Sequence, residues 1–208
     1  MNPIRKPFAY SYYNVTLILI CVNVIIFMLQ NFTPVLGGLL AMTPVLVLHG
    51  FFWQFLTYMF AHVNFSHILF NMLALFVFGA RTERHMGSKE FLLYYLVTGV
   101  LAGFFSFIVF LFTGAARVPL LGASGAIFAV QLAFASFFPD SILYIWGILP
   151  LRAPVMVLVF TAIEMFLMIF GAANGVAHMT HLAGFGFGWL YFLVRFNANP
   201  LRMMTGRR

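Results

Sequence analysis

Residues 91–112, FLLYYLVTGVLAGFFSFIVFLF, run for 22 positions without a charged side chain. As a helix rising about 1.5 Å per residue, such a run crosses the roughly 30 Å hydrocarbon core of a bilayer. Working outward from it, a span over about 90–112 is joined by others over about 13–31, 65–82, 122–138, 153–170 and 175–196. The whole chain agrees with its most apolar stretch. Its 208 residues are 63% apolar and 7% charged, against about 25% charged in an ordinary soluble domain. Eleven Lys and Arg with four Asp and Glu cannot cover the surface of a water-soluble globule of this size. A cytosolic enzyme, a secreted disulfide scaffold and a disordered chain are excluded. The sequence predicts an all-α membrane protein: a compact bundle of six transmembrane helices with a long, membrane-associated first outer loop.

That loop is residues 32–64, apolar yet broken by Pro34, Gly37, Gly38, Pro44 and Gly50. Breakers at this density stop a span and favour an interfacial or re-entrant segment of short helical pieces. Phe51, Phe52, Trp53 and Tyr58 suit a headgroup belt. Arg5 and Lys6 precede the first apolar run as in a signal peptide. The run is nearly span-length and has no small-residue cleavage site, so it reads as an uncleaved first helix. Cys21, the single cysteine, excludes an internal disulfide framework and reads as a buried, inert thiol.

With six spans and the N-terminus inside, ten of the eleven basic residues fall on the inner side and only Arg117 outside. That asymmetry predicts two cytoplasmic termini. It also accounts for the net charge of +7 through orientation rather than nucleic acid, which is not an expected partner. The expected organisation is a cytoplasmic tail over 1–12, one six-helix domain over 13–196, and a basic cytoplasmic tail over 197–208. The minimal core points to a bacterial plasma (inner) membrane. No accessory domain is expected.

Polar groups within a bilayer are expensive and need individual explanations. On this topology His67 and Asn71 begin span two, Ser124 begins span four, and His178 and His181 begin span six. All lie within about 10 Å of the outer helix ends. A hydroxyl, several imidazoles and an amide at one depth form the inventory of a nucleophilic site. Each has a plainer role too. Ser124, in Gly122-Ala-Ser-Gly-Ala126, could serve close packing, Asn71 could bond a backbone, and His49, His62, His67 and His85 could cap or pack. Gly184 and Gly188 form a Gly-x-x-x-Gly packing face, and His181 lies nearer its middle than His178. Glu164, the acid within span five, reads as structural: spacing identifies no partner for it.

The strings His62-Val-Asn-Phe-Ser-His67-Ile-Leu-Phe-Asn71, Gly122-Ala-Ser124-Gly and Ala177-His-Met-Thr-His181-Leu-Ala-Gly184 resemble those of the rhomboid family of intramembrane serine proteases. Motif order, the six-span core and the long first loop fit as well. The resemblance implies Ser124 as nucleophile and His181 as general base, with Asn71, His67 and the Ser124 backbone N–H as oxyanion hole beside Gly122. It also implies Phe128 as an aromatic support for the imidazole, Glu83 in a polar cluster at the inner end of span two, and substrate access between spans two and five. The implied partners are transmembrane protein substrates and the lipid bilayer, with no cofactor. Trp53-Gln54 stands where many relatives have Trp-Arg. With no carboxylate assigned to the imidazole, a Ser-His dyad and a slow enzyme are expected. Two alternatives are a catalytically silent relative that binds membrane helices, and a haem or metal protein using His62, His67, His178 and His181.

Overall fold

The computed structural model describes residues 5–145, 147–170 and 176–206. Arg207, Arg208 and the first residue of span six as read from the sequence lie outside them. Among the described residues, four helices are long and apolar enough to cross a membrane: α1 (Val15–Phe32), the rod of α5 (Phe65–Ala74), a π turn (Leu75–Gly79) and α6 (Ala80–Met86), then α7 (Ser88–Phe112) and α9 (Ala153–Phe170). Two more complete the bundle. These are α8 (Ser124–Phe137) and α10 (Val176–Tyr191), the latter extended by a π turn over Phe192–Phe196. A short α11 (Pro200–Met204) follows. All six predicted spans are helical.

Between α1 and α5 the chain forms α2 (Pro34–Leu40), α3 (Pro44–Leu48), α4 (Gln54–Thr57) and one 3₁₀ turn over Tyr58–Phe60. Pro34 and Pro44 each open a helix, where a missing N–H costs nothing. Gln54 is fully buried. Its Oε1 accepts from Thr43 N–H at 3.0 Å, and its Nε2 lies 3.2 Å from Leu39 O. A neutral amide therefore holds the loop together without an ion pair.

Two sequence expectations need correction. Tyr58 is not in a headgroup belt. It is 1% exposed, and its hydroxyl donates to Gly99 O at 2.6 Å, reaching α7 because Gly103 has no side chain to meet its ring. Cys21 is exposed rather than buried. The inward face of α1 is Val15, Thr16, Leu19 and Asn23, and position 21 lies about 160° around the helix from position 19. The bundle is helical as expected, with one small antiparallel hairpin, β1 (Ile142–Ile145) with β2 (Leu149–Arg152), in the connection between α8 and α9.

The core is α7, α8 and α10, packed through small residues. A Cβ on Gly184 would sit 1.9 Å from Gly125 O, and one on Gly188 would sit 2.6 Å from the Tyr94 hydroxyl. In lipid there is little hydrophobic force between helices, so close backbone approach is what binds them. Two buried carboxylates fasten the end away from the 32–64 loop. Glu83 accepts from Val15 N–H (2.7 Å), Thr16 N–H (2.8 Å) and the Ser88 hydroxyl, satisfying free donors at the positive end of α1. Glu90 takes a two-pronged contact from Arg195, at 2.8 and 2.9 Å, and a bond from the Tyr191 hydroxyl.

Candidate active site

Ser124 is the first residue of α8, and α8 has only 14 residues. At about 21 Å it is shorter than a bilayer core. Its placement is built by the preceding chain. Met42 and Leu120 exchange backbone bonds of 2.9 and 2.8 Å, Val45 N–H donates to Ala116 O at 3.0 Å, and Gly122 N–H donates to Tyr58 O at 2.9 Å. The 32–64 loop thus grips the segment leading into Ser124. Gly122 turns the chain with φ +121°, a conformation that favours glycine.

His181 on α10 meets Ser124 directly, with Nε2 2.7 Å from Oγ. Phe128, one turn along α8, stacks on that imidazole with ring centroids 4.6 Å apart and planes 7° from parallel. The approach follows from the Gly184 contact with Gly125, which draws the His181 face of α10 against the start of α8. Ser106 and Thr180 hydroxyls 2.6 Å apart tie α10 to α7 at the same level.

Opposite stand His67 and Asn71 on α5, one turn apart. Asn64 caps this helix, accepting from His67 N–H at 2.9 Å, which fixes the start of α5 and both side chains. A methyl group on Gly122 would lie 2.8 Å from His67 Nε2 and 3.7 Å from Asn71 Nδ2. The two groups therefore converge on the bare backbone beside Ser124. Asn71 Nδ2 is buried with no hydrogen-bond partner among the described residues. A buried amide donor left unpaired costs about 1–3 kcal/mol, and this one faces the site. His62 packs edge-on against His67 with ring centroids 5.1 Å apart. Burial, with the neighbouring His67 adding to it, lowers the His62 pKa to about 4, so its ring is neutral at physiological pH. His49 and His85 lie elsewhere, His49 against Val45 O and His85 tilted against Phe137.

A cleft of about 560 Å³ contains these groups, opening between α5 and α9 and lined by His67, Asn71, Ser124, Phe128, Phe160 and Glu164 among others. The sequence reading missed what Glu164 touches. Its Oε2 lies 2.5 Å from His178 Nδ1 and 3.1 Å from His181 Nδ1. Glu164 is six residues from the end of α9, about 9 Å, which matches the depth of His181 from the start of α10. The donor atoms of Glu164, His178 and His181 all lie within 4.8 Å of one another, whereas His62 and His67 form a separate pair. Of the two α10 histidines it is His181, not His178, that contacts Ser124.

Comparison with known proteins follows the same residues. A family model described as the rhomboid domain matches residues 49–198. The chain is 40% identical over 83 residues to Rhomboid protease GluP of Bacillus subtilis, covering 40% of this chain and 15% of that protein. It is 33% identical over 84 residues to the Putative rhomboid protease YdcA of the same organism, covering 40% of each. With Rhomboid protease GlpG of Haemophilus influenzae it shares 30% identity over 139 residues, 67% of each chain. The chain thus spans well under half the length of the two Bacillus relatives. Since the rhomboid model takes in α5 through α10 with every residue lining the cleft, this membrane protein belongs to the rhomboid family.

Proposed function

We propose that the chain is an intramembrane serine endopeptidase that cleaves transmembrane proteins near the outer leaflet. Its main support is the 2.7 Å contact between Ser124 Oγ and His181 Nε2 at the floor of a cleft between α5 and α9. Relatives named as proteases support the same reading. His181 Nε2 accepts the Ser124 proton as Oγ attacks the peptide carbonyl carbon. The resulting oxyanion accepts from the unpaired Asn71 amide, the Ser124 backbone N–H and His67. Ser124 N–H is free for this because it opens a helix, whose first N–H groups have no partner within the helix. When the intermediate collapses, His181 returns the proton to the leaving amine. Water activated by the same imidazole then releases the acyl group. Phe128 holds the ring in plane, and Gly122 leaves room for the oxyanion donors.

Substrate helices reach Ser124 through the cleft between α5 and α9, and they must unwind locally to expose a peptide bond. Small or helix-breaking residues are therefore expected near the cut. Residues 13–196 are the protease domain, with both tails cytoplasmic and the site facing outward in a bacterial plasma membrane. Fluorophosphonate labelling and cleavage of a transmembrane substrate are expected from the native protein and not from Ser124→Ala. Labelling that survives this substitution refutes the assignment. A reporter fused at the C-terminus is expected to be active only when facing the cytoplasm; activity confined to the other side reverses the topology.

A further inference from the structure

We infer that Glu164 is the positioning residue for the His181 imidazole, a third member of the reacting group supplied by α9. This rests on the reading of Ser124 and His181 as nucleophile and base. The order in space is Ser124 Oγ, 2.7 Å to His181 Nε2, then across the ring from Nδ1, 3.1 Å to Glu164 Oε2. For Nε2 to accept the serine proton, the neutral ring must carry its hydrogen on Nδ1, and something must prefer that tautomer. His181 Nδ1 is buried and makes no aligned hydrogen bond in this structure. The carboxylate oxygen at 3.1 Å is within its reach. Catalytic contacts are often loosely aligned without substrate and tighten in the complex.

The carboxylate is itself held. Its Oε2 lies 2.5 Å from His178 Nδ1, one turn before His181 on α10. The three side chains are only 14% (Glu164), 21% (His178) and 20% (His181) exposed. His178 thus acts as the anchor that keeps Glu164 oriented towards the ring of His181. An acid within a membrane span is costly and rare unless it is paired and used. Here it is bonded to His178 and also faces the imidazole whose tautomer decides the chemistry. Once His181 takes the serine proton, the same carboxylate faces an imidazolium and stabilises it.

Glu164→Gln keeps the shape of the side chain but can turn its amide N–H towards Nδ1, favouring the wrong tautomer. The expected result is a fall in kcat on the order of 10²–10⁴, with KM changed by less than about twofold. A second variant guards against a folding effect. Glu164→Ala is expected to lose kcat similarly and to recover part of it when formate is supplied, since the position opens onto the cleft and a small carboxylate can occupy it. A merely structural glutamate gives no such rescue. Near-native kcat in both variants, with Ser124→Ala inactive, overturns the inference and leaves the protease reading standing. Labelling of Ser124→Ala instead strikes at that reading itself. Activity of the native protein that a chelator abolishes and Zn²⁺ restores also overturns the inference, by making Glu164, His178 and His181 a metal site.

Discussion

Helices α8 and α9 are both strongly apolar and follow one another in the chain, yet they have opposite surroundings. In α8, 11 of 14 residues are buried; in α9, only Ala153, Met156 and Val157 of 18 are. The more apolar of the two is the exposed one, so hydropathy does not explain the burial, but side-chain size does. The buried helix is Ser-Gly-Ala-Ile-Phe-Ala-Val-Gln-Leu-Ala-Phe-Ala-Ser-Phe, with a small residue at nearly every second position. The peripheral one carries Leu158, Ile163, Phe166 and Ile169 on exposed surface. In lipid, small residues mark the protein side of a helix and bulky apolar ones the lipid side. Each helix then gives the site what its position permits. The central α8 carries Ser124 where backbone geometry is rigid, and the peripheral α9 reaches the site through one long side chain, Glu164.

The largest effect is expected where backbones touch. Gly184→Ala places a methyl carbon 1.9 Å from the Gly125 carbonyl oxygen. No rotamer relieves a clash with backbone, so α10 must move away from α8 and His181 must leave Ser124. Activity should vanish, and folding stability should fall by about 3 kcal/mol or more, at the upper end of overpacking costs. Gly186, two residues further along the same helix, has nothing within 4 Å of its would-be Cβ, so Gly186→Ala should leave cleavage and melting near native. Equal behaviour of the two variants would break the claim that close approach holds the centre of the bundle.

A smaller effect, confined to chemistry, is expected on α5. Asn71→Ala should lower kcat by about 10²–10³, the usual cost of one oxyanion donor, with little change in KM. Stability should not fall much, because Asn71 Nδ2 has no hydrogen bond in the resting structure to lose. A lower melting temperature with turnover intact would mean that Asn71 supports the fold and not the transition state.

The six spans and the broken loop were legible because charge-free runs and Pro or Gly clusters have no other economical explanation in a chain this apolar. The pairing of His181 with Ser124 was legible from Gly184 and Gly188, since residues that permit close approach also mark the facing side. The partners of Glu164 were not legible because they lie on α10, and no spacing within α9 points to them. Tyr58 escaped because an aromatic in an interfacial loop usually faces headgroups, and only the empty space at Gly103 on α7 draws it inward. Cys21 shows the converse limit. An apolar run identifies a span but not which of its faces meets protein.

The smallest effect is expected on the outward face of α9, and it tests the comparison of the two helices most directly. Leu158 is 61% exposed and Leu132, on α8, is fully buried. Leu132→Ala removes atoms from a packed interior and should cost about 2–5 kcal/mol through lost contacts and the cavity left behind. Leu158→Ala leaves no cavity, because lipid closes over the gap, and no transfer from water is lost, because the side chain touches lipid before and after folding within the membrane. Its effect should stay within about 0.5 kcal/mol, as for surface positions generally. Thermal unfolding of both variants in the same lipid nanodiscs makes the comparison, with native protein alongside. If Leu158→Ala melted as low as Leu132→Ala, the exposed side of α9 would have to pack against protein, and α9 would not be the lipid-facing helix that brings Glu164 to the site from the edge of the bundle.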